Sequence, residues 1–107
     1  MGGKPIEYES KQVADDDPAA AQRATAELIE GGADVTLGPP FATMGLPMLE
    51  ETKGEIPVFF VTSTEVSLTD SSQGSFLASF NDKVQASAAA EFAKKEGAKS
   101  AVTISST

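Results

Sequence analysis

Hydrophobic and polar positions along the chain follow two different periods, and these periods alternate. Strands are predicted where short apolar runs or strict alternation occur, at residues 5–10, 33–38, 56–63, 75–80 and 100–105. Helices are predicted where apolar residues recur every three or four positions, at residues 18–30, 44–53 and 83–96. The order βαβαββαβ indicates an α/β domain with a mainly parallel sheet flanked by helices, as in flavodoxin-like folds.

The ends of the helices carry local signals. Asp17 is predicted to cap the first helix, because its side chain can accept a hydrogen bond from an N–H group that the helix start leaves free. Pro18 suits the first helical position, because it has no N–H group that would need a partner there. The second helix is predicted to hold Pro47 in its first turn, where the missing N–H is tolerated. Asn81 is predicted to cap the last helix.

The apolar positions also predict which faces are buried. The continuous apolar run at 56–63 is typical of a strand that is buried on both faces of a parallel sheet. Four residues of the last helix share one face and are predicted to point inward: Val84, Ala88, Ala89 and Phe92.

Composition narrows the possible functions. The 107 residues are enough for one small domain, and the net charge of −8 argues against binding to nucleic acids or anionic membranes. The chain has no cysteine and no histidine, which excludes disulfides, thiolate chemistry and a Ser-His-Asp triad. The opening residues MGGKPIEYES lack the apolar segment of a signal peptide.

The turn GPPFATMG at residues 38–45 is the first candidate site. It follows a predicted strand and leads into a predicted helix, so the free N–H groups of that helix and its dipole suit a carboxylate. Thr43 could add a hydroxyl donor. The alternative is that Gly38 and Pro39 only build the turn.

The loop VTSTEVSLTD at residues 61–70 is the second candidate site. Hydroxyl and carbonyl groups suit a zwitterion, because they satisfy both of its charged ends without adding a net charge. The alternative is a hydroxyl-rich surface loop.

Three charged clusters are interpreted as structural. Lys94 and Lys95 lie in the last turn of a helix, where the dipole favours cations, and do not form a basic patch. The acidic stretch 14–18 lacks the spacing of a calcium loop and is predicted to be a capped, solvated turn. Glu50, Glu51 and Glu55 lie at an exposed helix end and have no apolar pocket to make them a catalytic pair. No catalytic residue, metal site or cofactor is predicted.

Three segments in order carry a family resemblance: residues 2–45, which include DPAAA and the GPP turn, then IPVFFVTSTEVSLTD, and then FNDKVQASAAAEFAKKEGAKSAVTI. Together they resemble the type I periplasmic solute-binding proteins, and among these the branched-chain amino-acid (Leu/Ile/Val) binding proteins of ABC importers. The resemblance implies that residues 1–81 correspond to most of an N-terminal lobe and 82–107 to the start of a second lobe. The first strand and most of the second lobe of the family are not matched.

The resemblance also implies a ligand set. Ala42, with Thr43 beside it, matches the position where the family has a Ser that contacts the carboxylate of the amino acid. Thr62 matches the position whose backbone carbonyl holds the ammonium group, and Thr64 matches a hydroxyl that holds the ligand.

The function implied is capture of a small amino acid or similar carboxylate outside the cytoplasm, in the periplasm or extracellular space. The solute is then handed to an ABC permease, and no bond is made or broken, so the chain is not expected to be an enzyme. The alternative is a small flavodoxin-like domain that self-associates and binds no solute.

The resemblance places the unmatched strand in the middle of the sheet, between residues 5–10 and 33–38. Such a gap would leave backbone groups unpaired, and unpaired edges recruit strands. Residues 100–105 are therefore expected to be paired on both sides, within the chain or by strand exchange in a homo-oligomer.

Overall fold

The computed structural model describes residues 2–70 and 74–106 and confirms the α/β class. The elements of this part are the helices α1 (Pro18–Glu30), α2 (Ala42–Thr52), α3 (Ser67–Asp70) and α4 (Asp82–Lys95), and the strands β1 (Thr36–Gly38), β2 (Val58–Phe60) and β3 (Ser75–Leu77). The short helix α3 lies in a segment whose polarity suggests a loop, and residues 71–73 of that segment lie outside the described part.

The three strands form a parallel sheet in the order β1-β2-β3. Thr36 lies opposite Val58, and Val58 lies opposite Ser75, so strands that are consecutive in sequence are neighbours in the sheet. Helices α2 and α3 provide the two crossovers. This connectivity brings the carboxyl ends of β1 and β2 to the same edge of the sheet.

Helix α1 begins and ends where the sequence predicts. The Oδ1 atom of Asp17 accepts a hydrogen bond of 2.9 Å from the backbone N–H of Ala20, and Pro18 is the first helical residue. Its buried residues, Ala21 and Thr25, are small, and α1 packs against α2.

One face of the sheet carries the core. The core residues come from α2, β2 and α3: Ala42, Met48, Leu49, Val58, Phe60 and Leu68. Phe60 is fully buried, and its ring lies against Gly38 and Gly45 so closely that a Cβ atom at either glycine would overlap it. These two glycines therefore allow α2 to approach the sheet.

The prediction for Pro47 is wrong. Helix α2 begins at Ala42, after Phe41 in extended conformation, so Pro47 lies in the helix interior and not in the first turn. Pro47 cannot donate a hydrogen bond to the carbonyl of Thr43, which removes one bond of the helix. The burial of the flanking residues Met44, Met48 and Leu49 explains why the helix continues through it.

The prediction that the strand within residues 56–63 is buried on both faces is also wrong. Val58 and Phe60 are buried, whereas 37% of Phe59 and 52% of Val61 are exposed. In the described part of the chain, helices cover only the face that Val58 and Phe60 share. Phe59 stacks on Phe76 on the other face, with the ring centroids 5.1 Å apart.

Residues 5–10 and 100–105 do not form strands in the structure, contrary to their alternating patterns. All residues of both segments are exposed, and Ile104 retains 94% of its accessible surface. A strand needs a neighbour to satisfy its N–H and C=O groups, and the described sheet ends at β1 and β3. The predicted pairing of 100–105 within the chain is therefore wrong, whereas exchange between chains stays a prediction.

The cap of α4 is confirmed, but its predicted burial is wrong. The Oδ1 atom of Asn81 accepts from the N–H of Val84 at 2.9 Å. Yet no residue of α4 is buried, and Val84 and Phe92 are 58% and 66% exposed. An apolar stripe is buried only where another surface packs on it, and none of the described elements packs along α4.

Candidate functional site

The two predicted loops lie side by side at one edge of the sheet. Gly38, the last residue of β1, is the register partner of Phe60, the last residue of β2. The turn with Ala42 and Thr43 follows the first of these strands, and the loop with Thr62 follows the second. Ligands of open α/β sheets bind beyond such carboxyl ends, so the location fits a binding site.

A direct hydrogen bond joins the two loops. The backbone N–H of Ala42, the first residue of α2, donates to the Oε1 atom of Glu65 at 3.1 Å. The carboxylate of Glu65 is therefore placed at the positive end of the α2 dipole, where negative charge is favoured. Sequence reasoning missed Glu65, although an acidic residue in a loop beside a helix start is a usable signal.

The remaining donors of the α2 start are accounted for in part. The N–H groups of Met44 and Gly45 both donate to the carbonyl of Phe41, at 3.2 and 2.9 Å. The N–H of Thr43 has no partner among the described residues, and its side chain is exposed. The first turn of α2 thus holds one carboxylate and keeps one donor free.

The hydroxyl of Thr64, which was expected to contact a ligand, is hydrogen-bonded within the chain. Its Oγ1 donates to a carboxylate oxygen of Asp82, and its carbonyl accepts from the N–H of Asp82 at 2.8 Å. These two bonds tie Thr64, within the second loop, to the first turn of α4. Thr62 is exposed, and no hydrogen bond joins it to Ala42 in the described part of the chain.

Ser63, between the two predicted threonines, has an unsatisfied hydroxyl. It is 2% exposed, and its Oγ has no hydrogen-bond partner within the described residues. Its carbonyl accepts from the Oγ of Ser79 at 3.4 Å. A buried hydroxyl without a partner costs about 1–3 kcal/mol, so its presence next to the predicted loop residues is notable.

The geometry does not enclose a ligand. Two open depressions in the described part are lined by residues 12–15 and by one side of α4, and neither is lined by Ala42 or Thr62. The described residues hold no group of three acidic, cysteine or histidine side chains that could bind a metal ion. The site is thus one wall of backbone donors, hydroxyls and a single carboxylate.

Comparison with known proteins identifies the family. A family model described as periplasmic binding protein matches residues 1–107, and neither a curated protein nor a solved structure matches the chain. This family binds small solutes for transport, works with ABC transporters and is generally non-enzymatic. No helix within the described residues is long and apolar enough to cross a membrane. The chain belongs to the periplasmic binding protein family.

Proposed function

We propose that this chain provides one wall of a solute-binding site in an ABC importer, and that the solute is a small amino acid or a similar carboxylate. The observation that carries the proposal is the contact between Ala42 and Glu65. The start of α2 already binds a carboxylate at 3.1 Å, and this carboxylate comes from the chain itself. A solute carboxylate has the same charge and geometry.

The proposed binding mode uses the groups at the sheet edge. The solute carboxylate replaces Glu65 at the N–H of Ala42 and also accepts from the N–H and hydroxyl of Thr43. The backbone carbonyl of Thr62 accepts from the ammonium group, and the hydroxyl of Thr64 turns from Asp82 to the solute. The sequence resemblance favours leucine, isoleucine and valine as solutes. This is binding without catalysis, and its site is periplasmic or extracellular.

We assign residues 1–81 to an N-terminal lobe and 82–107 to the start of a second lobe. All buried residues of the described part lie between Ala21 and Ser75, whereas α4 has none. Tight capture of a small solute needs burial between two walls. We therefore expect this chain alone to bind branched-chain amino acids with a Kd weaker than about 1 μM.

Titration followed by backbone NMR tests the site. Leucine, added to about 10 mM, is expected to shift the amide signals of Ala42, Thr43 and Thr62 and to leave those of α1 unchanged, since a millimolar Kd suffices at this concentration. Glu65→Gln is expected to strengthen binding, because it removes the competing charge. Leucinamide, which lacks the carboxylate, is the matched control and is expected to cause smaller shifts.

Two results would contradict the proposal. One is the absence of amide shifts in both the wild-type chain and Glu65→Gln. The other is equal binding of leucine and leucinamide, because the N–H groups of α2 would then not read a carboxylate.

A second candidate function is self-association without solute binding. It is favoured by the exposed apolar residues of α4 and of the segment 100–105, which no described element covers. We propose that residues 82–106 are exchanged between two copies, so that 100–105 pairs as a strand with the sheet of the neighbour. Light scattering at several concentrations tests this, and a monomer at all concentrations would contradict it.

A further inference from the structure

The carboxylate of Glu65 has a single hydrogen-bond partner among the described residues, the backbone N–H of Ala42, which lies 3.1 Å from Oε1. Its second oxygen, Oε2, accepts no hydrogen bond there. The ion pairs of the described part join Lys11 to Glu9 and Glu27, so Glu65 belongs to none of them. Within this part, the charge of Glu65 is therefore balanced only by the start of α2.

The contact between Glu65 and Ala42 is partly screened from water. Ala42 is 5% exposed, and Glu65 is partly buried. Charges interact more strongly in such a place than on an open surface, because less water surrounds them. A change in what surrounds the Glu65 carboxylate therefore has a measurable effect on binding.

The backbone of Glu65 is anchored, although its side chain can rotate. The carbonyl of Glu65 accepts a hydrogen bond from the N–H of Leu68 at 3.3 Å, and the side chain of Leu68 is fully buried in the core. Glu65 also follows Thr62 by three residues in the second loop. A carboxylate of Glu65 that leaves Ala42 therefore stays beside the proposed site.

We propose that Glu65 selects solutes that carry both a carboxylate and an ammonium group, because it exchanges partners with them. The solute carboxylate takes the N–H of Ala42, and the released carboxylate of Glu65 accepts a hydrogen bond from the solute ammonium. Glu65 is then a specificity-determining residue. This inference rests on the proposed function, since it uses the same site.

The exchange replaces every charge contact that it breaks. The start of α2 loses the carboxylate of Glu65 and gains that of the solute, which can also use the N–H of Thr43, a donor without a partner among the described residues. Glu65 loses the helix start and gains a cation. An ammonium has three N–H donors, so it can bind the carbonyl of Thr62 and the carboxylate of Glu65 together.

A solute that has a carboxylate and no ammonium breaks the same contact without replacing it. The charge of Glu65 then has no partner and lies near a second carboxylate at the same helix start, and like charges at short range repel. The formal net charge of −8 adds to this repulsion. Simple carboxylates are therefore disfavoured relative to amino acids.

Titration with leucine and with isocaproate, which is leucine without its amino group, tests the exchange. The amide signals of Ala42 and Thr43 give a Kd for each compound by NMR. The wild-type chain is expected to bind leucine at least about tenfold more tightly than isocaproate, since a hydrogen bond between charged groups has this effect. In Glu65→Gln both compounds gain affinity and isocaproate gains more, so the ratio of the two Kd values is expected to fall to about threefold.

Glu50→Gln is the matched control. It removes the same charge from an exposed position of α2 that lies far from the helix start. It is expected to keep the wild-type ratio of the two Kd values, because a lower net charge alone does not distinguish the released carboxylate. A ratio that falls equally in Glu50→Gln and Glu65→Gln overturns the exchange.

The outcomes separate this inference from the proposed function. If neither compound shifts the signals of Ala42 and Thr43 in any of the three proteins, the proposed function fails and the exchange fails with it. If both compounds bind and leucinamide does not, but the ratio is the same in the wild-type chain and in Glu65→Gln, the carboxylate site stands and the role of Glu65 is overturned. Equal affinity of the wild-type chain for leucine and isocaproate overturns that role without any variant.

Discussion

The backbone N–H of Ala42 and the Oε1 atom of Glu65 are 3.1 Å apart and form a hydrogen bond across two loops. The pair joins the ends of two neighbouring strands and neutralises part of the dipole at the start of α2. Phe41, the capping residue, makes no side-chain hydrogen bond, so Glu65 takes over the role that an N-cap side chain normally has.

Glu65→Gln is expected to lower the free energy of unfolding by about 0.5–1 kcal/mol, because the amide keeps the shape of the side chain and loses its charge at the helix start. Urea denaturation at pH 7 measures this. Glu50→Gln is the control, since Glu50 is exposed on the same helix and far from its start. Equal effects of both substitutions would show that Glu65 does not act through the α2 terminus.

Asp17→Ala is expected to cost about 1 kcal/mol of unfolding free energy, since it removes the acceptor of the Ala20 N–H. Asp15→Ala is the suitable control, because Asp15 is exposed and outside the helix. Asp16 is not suitable, since its φ of 58° lies in the left-handed region, which Asp tolerates better than Ala. A cost at Asp15 as large as at Asp17 would contradict the cap.

Gly45→Ala is expected to destabilise the protein by about 1–3 kcal/mol, although alanine normally favours a helix. The added Cβ would lie 2.7 Å from Cε1 of Phe60 and 2.8 Å from Cδ2 of Leu68. The double variant Gly45→Ala with Phe60→Leu tests the cause, because the smaller side chain relieves the overlap. The prediction fails if the two changes are additive in thermal unfolding.

Ser63→Ala is expected to leave stability unchanged or to raise it by about 1 kcal/mol. The hydroxyl is buried and has no partner in the described part of the chain, so its removal takes away a cost of desolvation. Thr25→Val is the contrast, because the hydroxyl of Thr25 donates to the carbonyl of Ala21 at 2.8 Å. A loss above about 1 kcal/mol in Ser63→Ala would contradict this, since it would reveal a bonded hydroxyl.

The pH dependence at high pH is expected to involve Lys11. A hydrogen bond and charge interaction with Glu27, whose Oε2 is 3.1 Å from Nζ, raise the pKa of Lys11 above its ordinary value of 10.5. The stabilisation of the folded state by the Lys11–Glu27 interaction is therefore fully present below pH 10.5, and it is lost as the pH rises through the higher folded-state pKa of Lys11. Chemical denaturation between pH 9 and about 12 measures the decrease of the unfolding free energy with pH. Lys11→Met is expected to make this decrease smaller, whereas Lys99→Met is expected to leave it unchanged.

The sequence predicts a helix end correctly where residues at that end determine it. The bounds of α1 follow from Asp17 and Pro18, and the start of α4 follows from Asn81, because a cap satisfies neighbouring N–H groups within one turn. The strands predicted from the alternation at 5–10 and 100–105 do not form, because a strand also needs a neighbouring strand, from elsewhere in the sequence, with which to form hydrogen bonds. The predicted position of Pro47 in the first turn was wrong for a similar reason, since the tertiary packing of Met48 and Leu49 outweighs the local cost of a proline in the helix interior.

The positions of the two loops in the fold were predictable, whereas their hydrogen bonds were not. The ends of β1 and β2 locate Ala42, Thr43 and Thr62 on one edge, as a parallel sheet requires. The contact of Glu65 with Ala42 could not be predicted, because it depends on how far the second loop folds back toward α2. The same holds for Thr64, whose hydroxyl bonds to Asp82.

The attachment of α4 through Thr64 and Asp82 has a consequence for how the molecule opens. A helix of 14 residues without a packed face is only marginally stable in water, so α4 unfolds far more readily than the core around Phe60. Its amide protons will therefore exchange with solvent long before those of α2. In the monomer we therefore expect cooperative unfolding of the core to leave α4 out, with the two hydrogen bonds between Thr64 and Asp82 as the boundary.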